Sequence, residues 1–535
     1  MLTKIFSAAI QGIEAFPVTI ETDGSNGAMF SIVGLPDAAV KESHQRMQAA
    51  IQHSGIQFPR KATIINLAPA DVKKEGAAFD LPMAIGVLTA HKVVEAVNLS
   101  EYMIMGELSL DGSVLPVKGV LPMAIKAREM GLKRIIVPEG NVTEAAVVNK
   151  LEVFGVKNLT EAVDIISGAS EIKPTVINTR EIFAKESAQF DFDFSEVKGQ
   201  ESVKRALEVA CAGGHNILLI GAPGAGKSMM AKRLPSILPP LSLSEALETT
   251  KIHSVAGKLT RGSMLMTRRP FRTPHHTVSP VAMVGGGSNP MPGEISLAHN
   301  GVLFLDEFPE FPRQVLEVMR QPIEDRVITV ARAKYTVNYP ASFMLVASMN
   351  PCPCGYYGHP KKSCSCPPGA VSRYMNRISG PLLDRIDLQI EIQPVEFDDM
   401  ANTTPAESSD AIRERVMMAR TIQQERFRGE KGVYCNAQMN TRLLHKYAWP
   451  DEAGLAKLRD RMTKLNMSAR AFDRILRVAR TIADLDYAGA LTQNRSSQEY
   501  QETLSRLVTA PVMSSHIAEA INYRNLDRTD YGNAF

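Results

Sequence analysis

The chain has 535 residues, too many for one hydrophobic core, and this length suggests roughly three domains. Hydrophobic residues make up 44% and charged residues 22% of the chain, which is typical of a globular protein that folds in water. The formal net charge of +3 means that any surface for nucleic acid has to be local rather than spread over the whole chain.

Neither secretion nor a membrane is indicated by the sequence. Six cysteines in so long a chain are too few for a secreted disulfide framework. No apolar run approaches the ~18 residues that span a bilayer, and the first residues lack the architecture of a signal peptide. We therefore expect a cytoplasmic protein without a membrane partner.

Hydrophobic periodicity predicts an α/β protein with a helical C-terminal part. Short apolar segments such as "ATIINLAPA" and "RIIVPEG" alternate with helical patterns in the first part, and a second alternation is typical of a parallel sheet. The predicted units are an α+β domain over 1–170, a linker over 171–193, a P-loop α/β domain over 194–397 and a small helical domain over 398–535.

A phosphate-binding loop is predicted by "HNILLIGAPGAGKSMMAKRL" (215–234), where G-x-x-x-x-G-K-S follows an apolar strand and precedes a helix. The glycines let backbone N–H groups surround phosphates, Lys227 supplies a cation to the β- and γ-phosphates, and the Ser228 hydroxyl is a ligand for Mg²⁺. The residues predicted to bind ATP are Gly221, Ala222, Pro223, Gly224, Ala225, Gly226, Lys227, Ser228 and Met229.

Two further strands are expected to complete this site. "HNGVLFLDEF" places Asp306 and Glu307 at the end of an apolar strand, where Asp306 holds Mg²⁺ and Glu307 orients or deprotonates the attacking water. "ASFMLVASMN" ends at Asn350, whose amide is expected to position water beside the γ-phosphate. A solvated strand end is the alternative interpretation of the two acids.

Together with "VKGQ" (197–200) and "GPLLDRIDLQI" (380–390), these motifs resemble an AAA+ ATPase. More specifically, "PFRTPHHTVSPVAMVGGGSNPMPGEISLAHNGVLFLDE" (270–307) resembles the magnesium-chelatase-like branch, and nearly the whole chain is similar to the ComM/YifB family. The resemblance implies ATP and Mg²⁺ as cofactors and a homo-hexamer. For ComM members it implies a DNA helicase that promotes branch migration during natural transformation, with recombination proteins as partners.

Two arginines take their roles from the resemblance alone. Arg385 in "LLDRID" matches the arginine finger that reaches the γ-phosphate of the neighbouring subunit, and Arg470 in "SARAFDRIL" matches the sensor arginine of the helical domain. Ordinary surface ion pairs are the alternative for both, and Arg474 and Arg477 compete with Arg470 for the sensor role.

The first part of the chain resembles the proteolytic domain of Lon in "APADVKKEGAAFDLPMAIGVL" (68–88) and in residues 105–141. Lon-type proteases need a serine nucleophile and a lysine base. Here the matching positions hold Ala78 and Leu121, and Lys118 lies three residues before the lysine position. We therefore expect a scaffold or partner surface without peptidase activity.

DNA contacts are expected in two segments. Between Lys251 and Gly293 the chain has six Lys or Arg residues and no acid, and Arg268 and Arg269 lie in this segment. In a ring such a basic segment can line the central channel, although a solvated basic loop is the alternative. "DRVITVARAKYTVNYP" (325–340) has a hairpin pattern where this branch carries a pore hairpin, with Arg332 and Lys334 as tip residues.

Four cysteines lie in "MNPCPCGYYGHPKKSCSCPPG" (349–369) as two C-x-C pairs. Four thiolates on a short loop are suited to a structural Zn²⁺ site formed by Cys352, Cys354, Cys364 and Cys366, with His359 as a possible substitute ligand. A disulfide pair and inert thiols are the alternatives.

Three functions are compatible with these features: a DNA translocase, a chelatase-type ATPase that remodels a protein partner, and a Lon-like protease. The lost serine and lysine count against the protease. The Lon-like part of the chain counts against the chelatase motor, because we expect that motor to lack such a domain. The DNA helicase is therefore the preferred interpretation, with the remodelling ATPase as its alternative.

Overall fold

A computed structural model provides the coordinates of the chain. It describes residues 2–71, 74–178, 190–259, 264–287, 290–331, 336–395, 406–465, 467–491 and 497–524, together with residues 183 and 526. Among these residues, no helix combines the length and the apolar composition that crossing a membrane requires.

The N-terminal part of the chain forms a seven-stranded mixed sheet in the order β3-β4-β2-β1-β5-β8-β9. Its strands are β1 (Leu2–Gln11), β2 (Glu14–Ser25), β3 (Phe30–Val33), β4 (Ala62–Ala68), β5 (Tyr102–Ile104), β8 (Arg134–Pro138) and β9 (Glu152–Val156), while β6 (Glu107–Leu108) and β7 (Val114–Leu115) pair separately. Its helices are α1 (Ala38–His53), α2 (Asp80–Ala90), α3 (Val120–Glu129), α4 (Val142–Ala145) and α5 (Leu159–Ser167).

The central part of the chain forms a five-stranded parallel sheet in the order β11-β14-β17-β10-β18. Its strands are β10 (Ile217–Gly221), β11 (Phe271–Arg272), β14 (Val302–Leu305), β17 (Met344–Met349) and β18 (Leu388–Ile392). All residues of β10, β14 and β17 are buried, as expected for parallel strands that are covered on both faces.

Helices and two small hairpins surround this central sheet. The helices are α6 (Glu201–Gly213), α7 (Lys227–Ile237), α8 (Leu243–Val255), α9 (Pro280–Val284), α10 (Glu294–Leu297), α11 (Arg313–Val318), α12 (Arg320–Asp325), α13 (Ala370–Met375) and α14 (Gly380–Leu383). The hairpins are β12 (Gly285–Gly286) with β13 (Met291–Pro292), and β15 (Val327–Ala331) with β16 (Thr336–Pro340).

The C-terminal part is helical, with α15 (Ser409–Arg426), α16 (Thr441–Tyr447), α17 (Glu452–Leu465), α18 (Ala469–Ala488), α19 (Ser497–Val508) and α20 (Ser514–Asn522). Buried Ile412, Val416 and Ala419 recur along one face of α15 and share a core with α18 and with α6. The predicted α/β fold class, with a parallel sheet and helical C-terminal region, is confirmed. The domain boundaries stay predictions, and the one at 397/398 falls among residues 396–405, outside the described part.

Contacts at helix α8 and at the β15–β16 hairpin join the N-terminal sheet to the central part of the chain. Helix α3 packs against α8, and the Ser254 hydroxyl of α8 donates a hydrogen bond to the buried carboxylate of Glu144, which also accepts one from Leu121 N at 2.9 Å. At the turn between β1 and β2, Ile13 shares an apolar cluster with residues of β15 and β16. The N-terminal sheet therefore touches two separate elements of the central part.

A fully buried ion-pair cluster holds the C-terminal helices together. Asp484 of α18 lies 2.6 Å from Arg426 Nη2 of α15 and 2.8 Å from Arg480 Nη2, and all three side chains have no exposed area. Burial raises the pKa of Asp484, but the two guanidinium groups outweigh it and hold that pKa below its usual value. The carboxylate therefore compensates two buried cations at once.

We predict that Asp484→Ala destabilises the C-terminal helices by about 3–5 kcal/mol, because two buried guanidinium groups lose their counter-charge. Trp449 is the only tryptophan and lies between α16 and α17, so its fluorescence during urea unfolding reports on this part of the chain. Because the folded-state pKa is below the unfolded one, the stabilisation is complete at neutral pH and is lost as the pH falls through the acidic range.

The matched control for this prediction is Asp460→Ala, which removes an exposed i,i+4 pair with Lys464 and is expected to cost less than about 1 kcal/mol. Equal urea midpoints for the two variants would show that the buried cluster does not stabilise these helices.

Candidate functional site

The candidate site lies at one edge of the central sheet. Strands β14, β17 and β10 are neighbours and parallel, so their carboxyl ends meet at the same edge. Asp306 follows β14, Asn350 follows β17, and the glycine-rich loop follows β10. The topology therefore brings together three segments that are far apart in sequence.

The glycine-rich loop has the backbone that its sequence predicts. Gly224 and Gly226 have φ angles of +81° and +87°, in the left-handed region that favours glycine. A Cβ on Gly221 would lie 2.7 Å from the carbonyl oxygen of Ile392, so this position accepts no side chain. The turn leads directly into α7, whose first backbone N–H groups are available to an anion.

Lys227 lies at the centre of the site. Its Nζ donates hydrogen bonds to the carbonyl oxygens of Gly221 at 2.7 Å and Ala222 at 3.0 Å, and to Asn350 Oδ1 at 3.1 Å. Partial burial lowers the pKa of Lys227, although the charge of Asp306 opposes the shift. Burial withdraws the ammonium group from water, and a bound phosphate would supply negative charge beside it. Lys227 is therefore suited to bind a phosphate group.

Asp306 joins two neighbouring segments through its carboxylate. Oδ2 accepts a hydrogen bond from the Ser228 hydroxyl at 2.7 Å, and Oδ1 accepts one from the buried Ser348 hydroxyl of β17. Hydroxyl and carboxylate oxygens are ligands that Mg²⁺ prefers, so Ser228 and Asp306 fit the predicted metal site. The role of Ser348 could not be predicted from the sequence, because its hydroxyl lies in an apolar strand and contacts a residue of another segment.

Glu307 projects from a strained turn beside a histidine. Its φ is +54°, a conformation that non-glycine residues rarely adopt, and 60% of its side chain is exposed. Its carboxylate lies 3.1 Å from Nδ1 of His276, whose ring is 4.0 Å from that of His275. The two adjacent histidines in "PHHT" are the feature of the sequence that could have indicated this contact, but they lie in the segment that was interpreted only as basic.

A cavity of about 480 Å³ opens beside these residues. Lys227, Asp306, Glu307 and Asn350 line it together with residues of α13 and its surroundings that the sequence analysis did not identify. Those residues are Glu310, Met349, Pro353, Ala370, Arg373, Tyr374 and Arg377. Burial and the charge of Glu310 raise the pKa of Tyr374 to about 12.

The two arginines that the resemblance assigned lie in different environments. Arg385 is buried, with Nη2 2.8 Å from Glu324 and Nη1 donating to the carbonyl oxygen of Pro381 at 2.6 Å. Arg470 is exposed in the first turn of α18.

The two alternatives for the sensor role are held inside the chain. Arg474 pairs with the buried Asp387, and Arg477 Nε donates to the carbonyl oxygen of Met439 at 3.0 Å. Neither guanidinium is therefore available to a nucleotide in this conformation, whereas that of Arg470 is exposed to solvent.

Of the residues predicted to bind DNA, only some lie in the part of the chain that the structure describes. Arg332 and Lys334 lie outside the described residues, although β15 and β16 on either side of them form the predicted antiparallel pair. Arg268 is half-buried, with its guanidinium 6.0 Å from the centre of the Phe190 ring.

The structure corrects the expectation that Arg269 contacts DNA. Its guanidinium donates to the carbonyl oxygens of Pro239 at 2.6 Å and Asn300 at 2.7 Å, and it lies 3.4 Å from Glu245. Only 16% of the side chain is exposed. These contacts inside the chain leave no free guanidinium for a phosphate backbone, and the sequence could not reveal them because Arg269 lies in a run of cations.

The four clustered cysteines come together as predicted. The sulfur atoms of Cys352, Cys354, Cys364 and Cys366 all lie within 4.8 Å of one another. Sγ of Cys352 is 3.3 Å from that of Cys354 and 3.7 Å from that of Cys364. Four sulfurs at Zn–S distances of about 2.3 Å are roughly 3.8 Å apart in a tetrahedron, so the cluster fits a closed zinc site. None of these cysteines forms a disulfide among the described residues.

Comparison with known families gives matches along most of the chain. A family model described as "Magnesium chelatase, subunit ChlI" matches residues 193–400, "Subunit ChlI of Mg-chelatase" matches 20–141, and "Magnesium chelatase, subunit ChlI C-terminal" matches 406–498. Because a chelatase subunit model also matches residues 20–141, the N-terminal region does not count against a chelatase-type protein, contrary to the expectation from the sequence.

Individual relatives cover nearly the full length. The YifB protein of Salmonella typhimurium is 40% identical over 529 residues, and the competence protein ComM of Haemophilus influenzae is 39% identical over 530 residues. Each alignment covers 98% of both chains. Lon protease 2 of Bacillus subtilis is 29% identical over 110 residues, which are 20% of this chain and 19% of that protein.

We predict that Lys227→Ala weakens binding of Mg·ATP by at least about 100-fold, because the phosphates lose their only cation from the glycine-rich loop. Titration with a fluorescent ATP analogue measures the affinity. Lys232→Ala, on an exposed position of the same helix, is the matched control and is expected to bind ATP like the parent. Unchanged affinity in Lys227→Ala would contradict the assignment of this loop.

Proposed function

Because this chain belongs to the ComM/YifB family of magnesium-chelatase-like AAA+ proteins, we propose that it is an ATP-dependent DNA helicase that promotes branch migration in homologous recombination. The observation that supports the ATP-dependent step is the meeting of Lys227, Asp306, Glu307 and Asn350 around one cavity. The DNA step is supported by the near-complete alignment with a protein named for competence.

ATP hydrolysis at this site is proposed to use five side chains. Lys227 binds the β- and γ-phosphates, and Ser228 and Asp306 hold Mg²⁺, which supplies charge neutralisation to the phosphates when bound. Glu307 orients water and accepts its proton as the water oxygen bonds to the γ-phosphorus. The bond from that phosphorus to the bridging oxygen breaks, and its electron pair leaves with ADP. Asn350, hydrogen-bonded to Lys227, positions the γ-phosphate and the water.

A homo-hexameric ring is proposed to complete the site with Arg385 of the neighbouring subunit. In the single chain Arg385 is paired with Glu324, so this pair has to open or shift when a neighbour's nucleotide approaches. Arg470 is proposed to close over the nucleotide of its own subunit, and its exposure at the start of α18 is consistent with that movement. The cytoplasm is the proposed location, with recombination proteins as partners.

Contact with single-stranded or branched DNA is proposed at the β15–β16 hairpin, through Arg332 and Lys334, and at Arg268. The pairing of β15 with β16 supports the hairpin, and contacts between cations and phosphates do not depend on the base sequence of the DNA. The alternative function is a chelatase-type ATPase that remodels a protein partner, which the match to magnesium chelatase subunit models favours.

We predict that ATP hydrolysis by the parent protein rises with single-stranded DNA and that it displaces strands from forked and three-way junctions. In Arg332→Ala, Lys334→Ala, DNA stimulation and displacement are lost. The slope of log DNA affinity against log salt becomes shallower by about 1.4, because two phosphate contacts disappear.

The control for the DNA experiment is Lys457→Ala, Lys464→Ala, which removes two cations from α17 and is expected to behave like the parent. ATP hydrolysis by the parent that does not respond to any DNA, with no displacement, would reject the helicase and favour the remodelling ATPase.

A structural zinc ion is proposed to hold the loop 352–366. The proposal is supported by four sulfur atoms that lie within 4.8 Å of one another, and the loop begins two residues after Asn350. The ion would therefore fix the chain immediately beyond the residue that contacts Lys227. Such a closed four-thiolate site has no open position for catalysis.

We predict one zinc ion per chain in the purified protein, measured by elemental mass spectrometry after dialysis against a weak chelator. Cys364→Ser, Cys366→Ser is expected to lose the zinc and to have a lower melting temperature, because the loop loses its cross-link. A Cys211→Ser variant, which changes a buried cysteine outside the cluster, is expected to keep its zinc. Less than stoichiometric metal in the parent would refute the zinc site.

A further inference from the structure

We propose that Arg373 is a further catalytic residue, which binds the γ-phosphate of the ATP held by its own subunit and stabilises the charge of the transition state. This inference rests on the proposed ATP hydrolysis. Arg373 belongs neither to the glycine-rich loop nor to the arginine finger. The observation that supports its role is its position on the wall of the cavity.

Helix α13 contributes Ala370, Arg373 and Tyr374 to the lining of the cavity. Arg373 lines the same 480 Å³ space as Lys227, Asp306 and Glu307. Among the described residues, the guanidinium of Arg373 makes no hydrogen bond or ion pair, and the side chain is exposed. It is thus an unpaired cation beside the position that the γ-phosphate is proposed to occupy.

Two neighbours of Arg373 fix the helix on either side of the cavity. Buried Tyr374 shares an apolar cluster with Met349, the last residue of β17, which connects α13 to the tip of that strand. Arg377 Nη1 lies 2.7 Å from Glu310 Oε2, in the turn that follows Asp306 and Glu307. Because both anchors belong to the same chain, the proposed contact is made within one subunit.

Charge in the cavity supports the same assignment. Among the described residues that line it, Lys227, Arg373 and Arg377 are cations, and Asp306, Glu307 and Glu310 are acids. Arg377 is compensated by Glu310, and Asp306 is assigned to Mg²⁺. Arg373 is therefore the cation that remains to balance the negative charge of the γ-phosphoryl oxygens, and a prepositioned cation in a partly enclosed site stabilises the transition state strongly.

The experiment compares Arg373→Ala and Arg373→Lys with the parent. Arg442→Ala is the control, because Arg442 is exposed and pairs with Glu430 in the C-terminal helices. We expect Arg373→Ala to lower kcat about 100-fold while ADP affinity changes less than about twofold. Affinity for ADP with aluminium fluoride, which mimics the transferring phosphoryl group, should fall by at least about tenfold, and Arg373→Lys should recover part of both losses.

The results separate this inference from the proposed function. If the parent hydrolyses ATP but Arg373→Ala keeps the parental kcat and affinity for ADP with aluminium fluoride, Arg373 is not catalytic and the proposed ATPase stands. If the parent does not hydrolyse ATP, the proposed function itself fails. A kcat loss in Arg373→Ala with unchanged aluminium fluoride affinity would also overturn the inference, because it indicates a structural effect.

A mixing experiment tests whether Arg373 acts within its own subunit. Arg373→Ala and Glu307→Gln subunits are co-assembled by joint refolding or co-expression. If both residues serve the same subunit's site, every site lacks one of them and the mixture stays inactive. Recovery of hydrolysis in the mixture would show that Arg373 serves the neighbouring subunit, and it would overturn the assignment.

Discussion

The carboxylate of Asp306 is the contact on which the arrangement of the site depends. It accepts hydrogen bonds from Ser228, at the start of α7, and from Ser348 of β17, so it ties the glycine-rich loop to two neighbouring strands. Lys227 makes the corresponding connection to Asn350 at the end of β17. Both connections need β10, β14 and β17 to be parallel and adjacent, since only then do their carboxyl ends share one edge.

The N-terminal sheet contacts the central part through helix α8 and the β15–β16 hairpin. The Ser254 hydroxyl of α8 donates the hydrogen bond to Glu144, and Nε2 of the adjacent His253 lies 2.9 Å from the carbonyl oxygen of Leu297 in α10. Leu121, which the sequence resemblance aligned with the lysine position of Lon, is buried in an apolar cluster that also contains residues of α8. Leu121 packs between the N-terminal part and the segment around α8, so an apolar side chain is favoured at this position.

The sequence predicted the parts of the site that are encoded locally. The glycine-rich loop, Asp306 and Asn350 each follow an apolar strand, and parallel topology alone places strand ends together. Ser348, His276 and Arg373 were not identified, because their roles arise from contacts between segments distant in sequence. Arg269 shows the opposite case: a run of cations indicated an exposed surface, but folding buries its guanidinium against Pro239 and Asn300.

The central claim is that Glu307 activates water for ATP hydrolysis at this site, and single-turnover hydrolysis by Glu307→Gln tests it most directly. ATP is expected to bind to the variant within about threefold of the parental affinity, because Glu307 does not hold the phosphates. The single-turnover rate is predicted to fall by at least about 100-fold, because the proton acceptor is lost. A variant that hydrolyses bound ATP at the parental rate would contradict the account.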